Sequence, residues 1–137
     1  MTRQELKQVR YLKREIELLQ EQIVHLEAEI VTDKVRGSLP HHPWVETSFK
    51  ITGFDRIEYA QKMDKLKRKL QRRVDDLLDL RAEIFEWVEG IEDSLLRQVI
   101  ILRHVNGLGW RQVAKEIGAG TTWDSLRKMH DRFIEGL

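Results

Sequence analysis

Apolar residues at Val9, Leu12, Ile16, Leu19, Ile23, Leu26 and Ile30 recur alternately three and four positions apart. That is the heptad period, and it predicts one long helix over residues 2–33 with a narrow coiled-coil seam rather than a broad globular face. Thr2 and Glu5 have the spacing of a capping box and mark its start. Residues 34–54 interrupt the pattern with Gly37, Pro40, Pro43 and Gly53. Between these, Val45, Thr47, Phe49 and Ile51 alternate with polar neighbours, which predicts a short strand over 45–52. A lone strand needs a partner, either a hairpin with residues 34–39 or the edge of a second chain.

Heptad spacing resumes at Tyr59, Met63, Leu66, Leu70, Leu77, Leu80, Ile84 and Trp87, broken at Arg73 where an apolar residue is due. It predicts a second helix over 55–89, capped by Asp55 with Glu58 and stopped by Gly90. Val74, Leu78, Phe85 and Val88 widen its stripe, which predicts a further packing surface beneath whatever follows. At about 1.5 Å per residue each helix would be roughly 45–50 Å long. Matched lengths predict an antiparallel hairpin, or a bundle of two hairpins. Beyond residue 90 the pattern shortens to helices over Asp93–Val105, ended by Asn106-Gly107, then Trp110–Ile117, and then Thr122 to about Glu135. The expected architecture is all-α: residues 1–90 a helical hairpin or coiled-coil oligomerisation segment with a β excursion at its tip (34–54), and residues 91–137 a three-helix domain.

Composition narrows the chemistry. Charged residues make up 34% of the 137, and there is no cysteine. Disulfides, cysteine zinc sites and thiol catalysis are thereby excluded, and a reducing cytoplasm is suited. The charged N-terminus has no apolar stretch behind it, so a signal peptide is not expected, and no apolar run is long enough to span a membrane. Net charge is only +1, so any nucleic-acid partner has to be argued from local charge. No phosphate loop, nucleophile elbow or acid–base pair is present, and neither an enzyme nor a cofactor is expected.

The stretch WRQVAKEIGAG, Trp110 to Gly120, carries the most information. Two helices crossing steeply at a tight turn need a small residue at the crossing, supplied by Ala114. They also need a residue free to take positive φ at the turn, supplied by Gly118. Val113 and Ile117 would face Leu126, Met129 and Phe133, and Asp93–Val105 would complete a three-helix helix-turn-helix unit.

The run LRHVNGLGWRQVAKEIG…LRKMHDRF resembles the fourth region of bacterial sigma factors. It more closely resembles small phage transcriptional regulators of the RinA and ArpU kind. The likeness rests on Leu102-Arg103, Asn106-Gly107, Trp110, Val113-Ala114, Ile117-Gly118 and Met129 to Phe133. It covers the last third of the chain, and the rest only in layout. Two features depart from it: Gly109 stands at the usual Ser/Thr cap, and the turn Gly118 to Thr121 is longer than the common one. The resemblance implies a phage or prophage regulator of late transcription in the bacterial cytoplasm, binding double-stranded DNA. A dimer is the favoured assembly, with RNA polymerase a further partner.

In such a motif the second helix enters the major groove with its N-terminal residues against base edges. Thr121 and Asp124 have capping spacing, which would begin that helix there. Thr122, Trp123, Ser125, Arg127, Lys128, Asp131 and Arg132 would then be exposed. Arg127 and Lys128 are the expected main contacts, and Arg111 and Lys115 on the preceding helix would hold phosphates. Trp123 would stack on DNA or pack on its own domain; Trp110 and Trp87 read as packing residues.

Other features read more simply. The basic stretch Lys62, Lys65, Lys67, Arg68, Lys69, Arg72, Arg73 is a second nucleic-acid or polymerase contact, or a solvated flank balanced by Glu15, Glu17 and Glu21. His41-His42 lacks a third ligand and reads as a loop, and Asp75, Asp76 and Asp79 read as a solvated face. Two rival functions follow: a small terminase-like packaging protein, although those place the DNA-binding motif first, and a sigma-like module that docks on polymerase without reading DNA.

Overall fold

The computed structural model describes the backbone of residues 1–37 and 43–137 and the side chains of residues 1–29 and 56–137. Its elements are α1 (Arg3–Gly37), α2 (Pro43–Glu89), α3 (Ser94–Ile100) with a π-helical turn over Ile101–Val105, α4 (Trp110–Ile117) and α5 (Trp123–Glu135). Among the described residues there is no strand.

The strand expected over 45–52 is helical and lies inside α2. Val45 and Phe49, like Thr47 and Ile51, are four apart, so the same residues satisfy a helical period. A lone strand would strand its backbone polar groups, whereas a helix pairs them internally. α1 accordingly runs past its expected end, and α2 starts well before Asp55 and Glu58, which do not cap it. Pro43 is the first helical residue, where a missing N–H costs nothing. Pro40 and the His41-His42 pair lie outside the described residues. The start of α1 follows the sequence: Glu5 accepts from the Thr2 N–H at 2.7 Å and Thr2 Oγ1 accepts from the Glu5 N–H at 3.2 Å.

Two compact units emerge. One comprises Glu15–Val74. Within it Leu19 and Leu26, seven apart, are buried on α1. The gap in the α2 heptad is filled by an ion pair, Arg73 Nε to Glu15 Oε1 at 2.7 Å.

The other unit comprises Met1–Arg14 and Asp75–Leu137, so the boundary expected at residue 90 falls within it. Leu6 and Val9 of α1 share a core with Ile84 and Val88 of α2, Ile91, Leu96, Ile100, Val105 and Ile134. Trp87 lies in this region with its ring 5.8 Å from Phe133. A second cluster, Val99, Val113 and Leu126, is covered by Leu95, Leu102, Trp110, Ala114 and Ile117. Met129 packs against both clusters, whereas Phe133, expected opposite Val113, joins the first.

The π turn has a packing cause. In an α-helix Val105 would lie two and a half turns from Leu96, on the opposite face, at about 3.6 residues per turn. The wider turn, closed by Asn106 N–H to Ile101 C=O at 3.0 Å, takes back roughly a quarter-turn and brings Val105 into the core with Leu96 and Ile100. Lys13 of α1 donates to the Val105 carbonyl at the C-terminal end of this segment, where a cation is favoured. Burial first, and Arg81 next, lower the Lys13 pKa. Asp93 caps α3 through its side chain, accepting from the Leu95 N–H at 2.9 Å. Gly107 ends the run at φ +71°.

The widened stripe on α2 is only partly covered. Val88 is buried, but Leu78 and Phe85, seven apart, remain 52% and 39% exposed. Replacing Ile84, which is wholly buried, by Ala should cost about 2–5 kcal/mol in urea unfolding, whereas Leu78→Ala should cost less than about 1 kcal/mol.

Candidate nucleic-acid interface

α4 and α5 are joined by a turn over residues 118–122 whose backbone is left-handed at three consecutive positions. Gly118, Ala119 and Gly120 have φ of +67°, +54° and +72°. At Gly118, with ψ −140°, only glycine is at ease. Its N–H donates to the Ala114 carbonyl at 2.9 Å and closes α4.

α5 does not begin where capping spacing placed it. Thr122, not Thr121, is the cap: its Oγ1 accepts from the Ser125 N–H at 3.3 Å, and the Ser125 hydroxyl donates back to the Thr122 carbonyl at 3.0 Å. Thr121 turns the other way and donates to the Gly118 carbonyl at 2.8 Å, bracing the turn. Asp124 is thereby released from capping. Its carboxylate takes Arg127 Nη2 at 2.9 Å and Lys128 Nζ at 3.1 Å. The bond to Arg127 first, and that to Lys128 next, lower the Asp124 pKa.

The expected contact residues thus fall into distinct situations. Thr122, Trp123, Ser125, Lys128 and Arg132 are exposed on α5, as are Arg111 and Lys115 on α4. Ser125, Lys128 and Arg132 are three and four apart and form one outer ridge. Arg111 and Lys115 are one turn apart and share a side of α4. Arg127 is set further in: its guanidinium lies 5.9 Å from the centre of the Trp123 ring, and its Nε is buried without a hydrogen-bond partner. Asp131 is half-buried and bonded to His130, so it does not stand free on the surface.

Behind this ridge lies a group that the sequence pattern did not single out. His104 of the π turn and His130 of α5 meet Nε2 to Nε2 at 2.7 Å, with stacked rings 5.0 Å apart. The edge of Trp110 meets His130 at 4.9 Å, and the Arg103 guanidinium sits 5.0 Å from the Trp110 ring centre. His130 Nδ1 is 3.0 Å from Asp131 Oδ1. A carboxylate only accepts, so His130 carries its proton on Nδ1. Its Nε2 is then an acceptor, and His104 donates from Nε2. The line of donation runs His104 to His130 to Asp131 and requires the His130 ring to be neutral. Burial first, then His130, Arg103 and Arg10, push the His104 pKa from 6.5 down to about 4. His130 is also lowered, by burial against the opposing pull of Asp131. Histidine spacing in the sequence gives no sign of a pair 26 residues apart. The Asp124 links at three and four residues were legible as helix pairs.

Among the described residues no three His, Cys, Asp or Glu side chains converge on a metal position, and no helix is long and apolar enough to cross a membrane. No protein-family model, curated protein or solved structure matches the chain.

The histidine pair makes stability depend on pH with a definite sign. The unfolded chain takes up a proton on His104 near 6.5, and the folded chain only near 4. Stability contributed by the neutral ring is therefore full above pH 6.5 and declines as pH falls through this window, by at most about 3 kcal/mol. Urea unfolding between pH 7 and about 4.5 should show this decline, and His104→Gln should flatten it.

Proposed function

We propose that this chain is a sequence-selective double-stranded DNA-binding protein with a helix-turn-helix formed by α4 and α5, and that it regulates transcription as the phage proteins it resembles do. The observation that carries this is the outer ridge of α5. Its first turn and outward face offer Ser125, Lys128 and Arg132 to solvent while Leu126, His130 and Ile134 anchor the opposite face. A helix held this way, following a turn of fixed hand, suits the major groove, which admits one α-helix. Lys128 is the leading base or phosphate contact, its side chain 61% exposed. Arg127, set further in than Lys128, shares the Asp124 carboxylate with it, and either cation makes a full contact only on leaving Asp124. Arg111 and Lys115 suit phosphate contacts from α4. The setting implied is a bacterial host cytoplasm.

A dimer would present two such helices to two half-sites. With the strand gone, the support for a second copy is the pair Leu78 and Phe85, apolar, exposed and one heptad apart. Sedimentation should show a dimer at micromolar concentration that Leu78→Glu with Phe85→Glu converts to a monomer of unchanged helicity.

A second reading has an observation of its own. Asp124 pairs with both Arg127 and Lys128 and leaves the three with a single net positive charge, which favours a surface that docks on a protein such as RNA polymerase rather than on phosphate. A salt titration against duplex fragments of the source genome separates the two. On the DNA reading the chain selects one fragment, and Lys128→Ala with Arg132→Ala lowers discrimination by about 1–3 kcal/mol. Absence of binding to any fragment at moderate salt would sink that reading and leave the docking module.

A further inference from the structure

Residues 62–73 hold seven cations against one carboxylate, Asp64, in a chain whose net charge is only +1. The rest of the chain is therefore net negative, and positive charge is concentrated in three turns of α2. Lys62, Lys65, Lys69 and Arg72 follow one another at three, four and three residues. On a helix that spacing is a single ridge, about 15 Å long at about 1.5 Å per residue. All four are exposed, while Met63, Leu66 and Leu70 on the other side are half-buried.

Two nearby acidic residues are engaged off the ridge. Asp64 pairs with Arg68 at 2.9 Å, and Glu15 of α1 pairs with Arg73 at 2.7 Å, neither on the ridge. Only Lys62 has a partner along the ridge, Glu58 at 3.4 Å, and both side chains are more than half exposed. Lys65, Lys69 and Arg72 make no ion pair with another described residue. Like charges three and four apart on a helix oppose one another, and an anion spread along the same line relieves that opposition.

We propose that the Lys62–Arg72 ridge of α2 is a second, sequence-independent contact for the phosphate backbone of duplex DNA; this rests on the DNA-binding reading of the chain. The match is one of length and charge. Duplex DNA carries one negative charge per about 1.7 Å of helix axis with both strands counted, so a row of four cations about 15 Å long meets a continuous line of negative charge at least as long as itself. Membrane-surface helices carry large apolar residues beside the cations; here the neighbouring apolar positions are turned into the protein and leave nothing to insert. The ridge would add affinity without adding selectivity, because phosphates carry no sequence information.

The test is a salt titration of the full chain on a random-sequence duplex of about 30 base pairs. Wild type is set beside Lys65→Gln/Lys69→Gln/Arg72→Gln, and beside a charge-keeping control, Lys65→Arg/Lys69→Arg. Glutamine keeps helix propensity, so helicity by circular dichroism should not change. Each lost phosphate contact removes about 0.9 from the slope of log K against log salt, so the triple variant should be shallower by about 2–3 and the control unchanged. Selection among genome fragments should survive in the triple variant and be lost in Lys128→Ala/Arg132→Ala. Equal slopes for wild type and triple variant, with fragment selection intact, would overturn the α2 contact alone and leave the ridge to an acidic protein. Unselective binding abolished by the triple variant would sustain the ridge and sink groove reading by α5. No duplex binding at any salt would remove both.

Discussion

The C-terminal helices depend on a core that is closed by the first turns of the chain. Leu6 and Val9 of α1 lie among Ile84, Val88, Ile100 and Ile134, so one hydrophobic cluster ties residues at both ends of the sequence into a single compact unit. α5 is held twice over, by Leu126 in one cluster and Ile134 in the other, with Met129 against both. The short helices α3 and α4 could not bury enough apolar area alone; isolated helices of this length are marginal in water. Their order follows from the shared core, and so does the fixed presentation of Ser125, Lys128 and Arg132.

Polar groups inside this unit are arranged to avoid buried charge. His104 and His130 satisfy each other as neutral rings, and the remaining Nδ1 proton of His130 goes to Asp131. Desolvating a charged imidazolium beside Arg10 and Arg103 would cost more than the hydrogen bond returns, which is why both rings titrate low. Charge is instead moved outward, onto Asp124 with Arg127 and Lys128, and onto the cations of α2.

Much of the fold was legible. The Thr2–Glu5 box, the seam through Leu19 and Leu26, the stop at Gly90 and the turn at Gly118 all rest on local chemistry, and all appear. What failed was decided by tertiary competition. Eight alternating residues around Phe49 fit a strand or a helix, and with no strand among the described residues to pair with, the helix is adopted. Capping spacing pointed to Thr121 with Asp124, but the Thr121 hydroxyl is taken by its bond to the Gly118 carbonyl, and Thr122 caps instead. The extent of the compact unit was hidden because Leu6 and Val9 look like any other heptad positions. Of the candidate site, the exposed ridge on α5 was visible from periodicity. The inward placement of Arg127 and the histidine pair behind it were not, since neither leaves a short-range pattern.

The turn at Gly118, Ala119 and Gly120 has a consequence for how such a surface can change. Three successive left-handed residues fix the path from α4 into α5 through the backbone itself, independently of the side chains that α5 displays. Presentation and content are therefore separable. Residues on the outer ridge can be exchanged without altering the angle at which they are offered, so the same scaffold could be re-addressed to a different target by a handful of surface substitutions. The turn itself, by contrast, tolerates almost none.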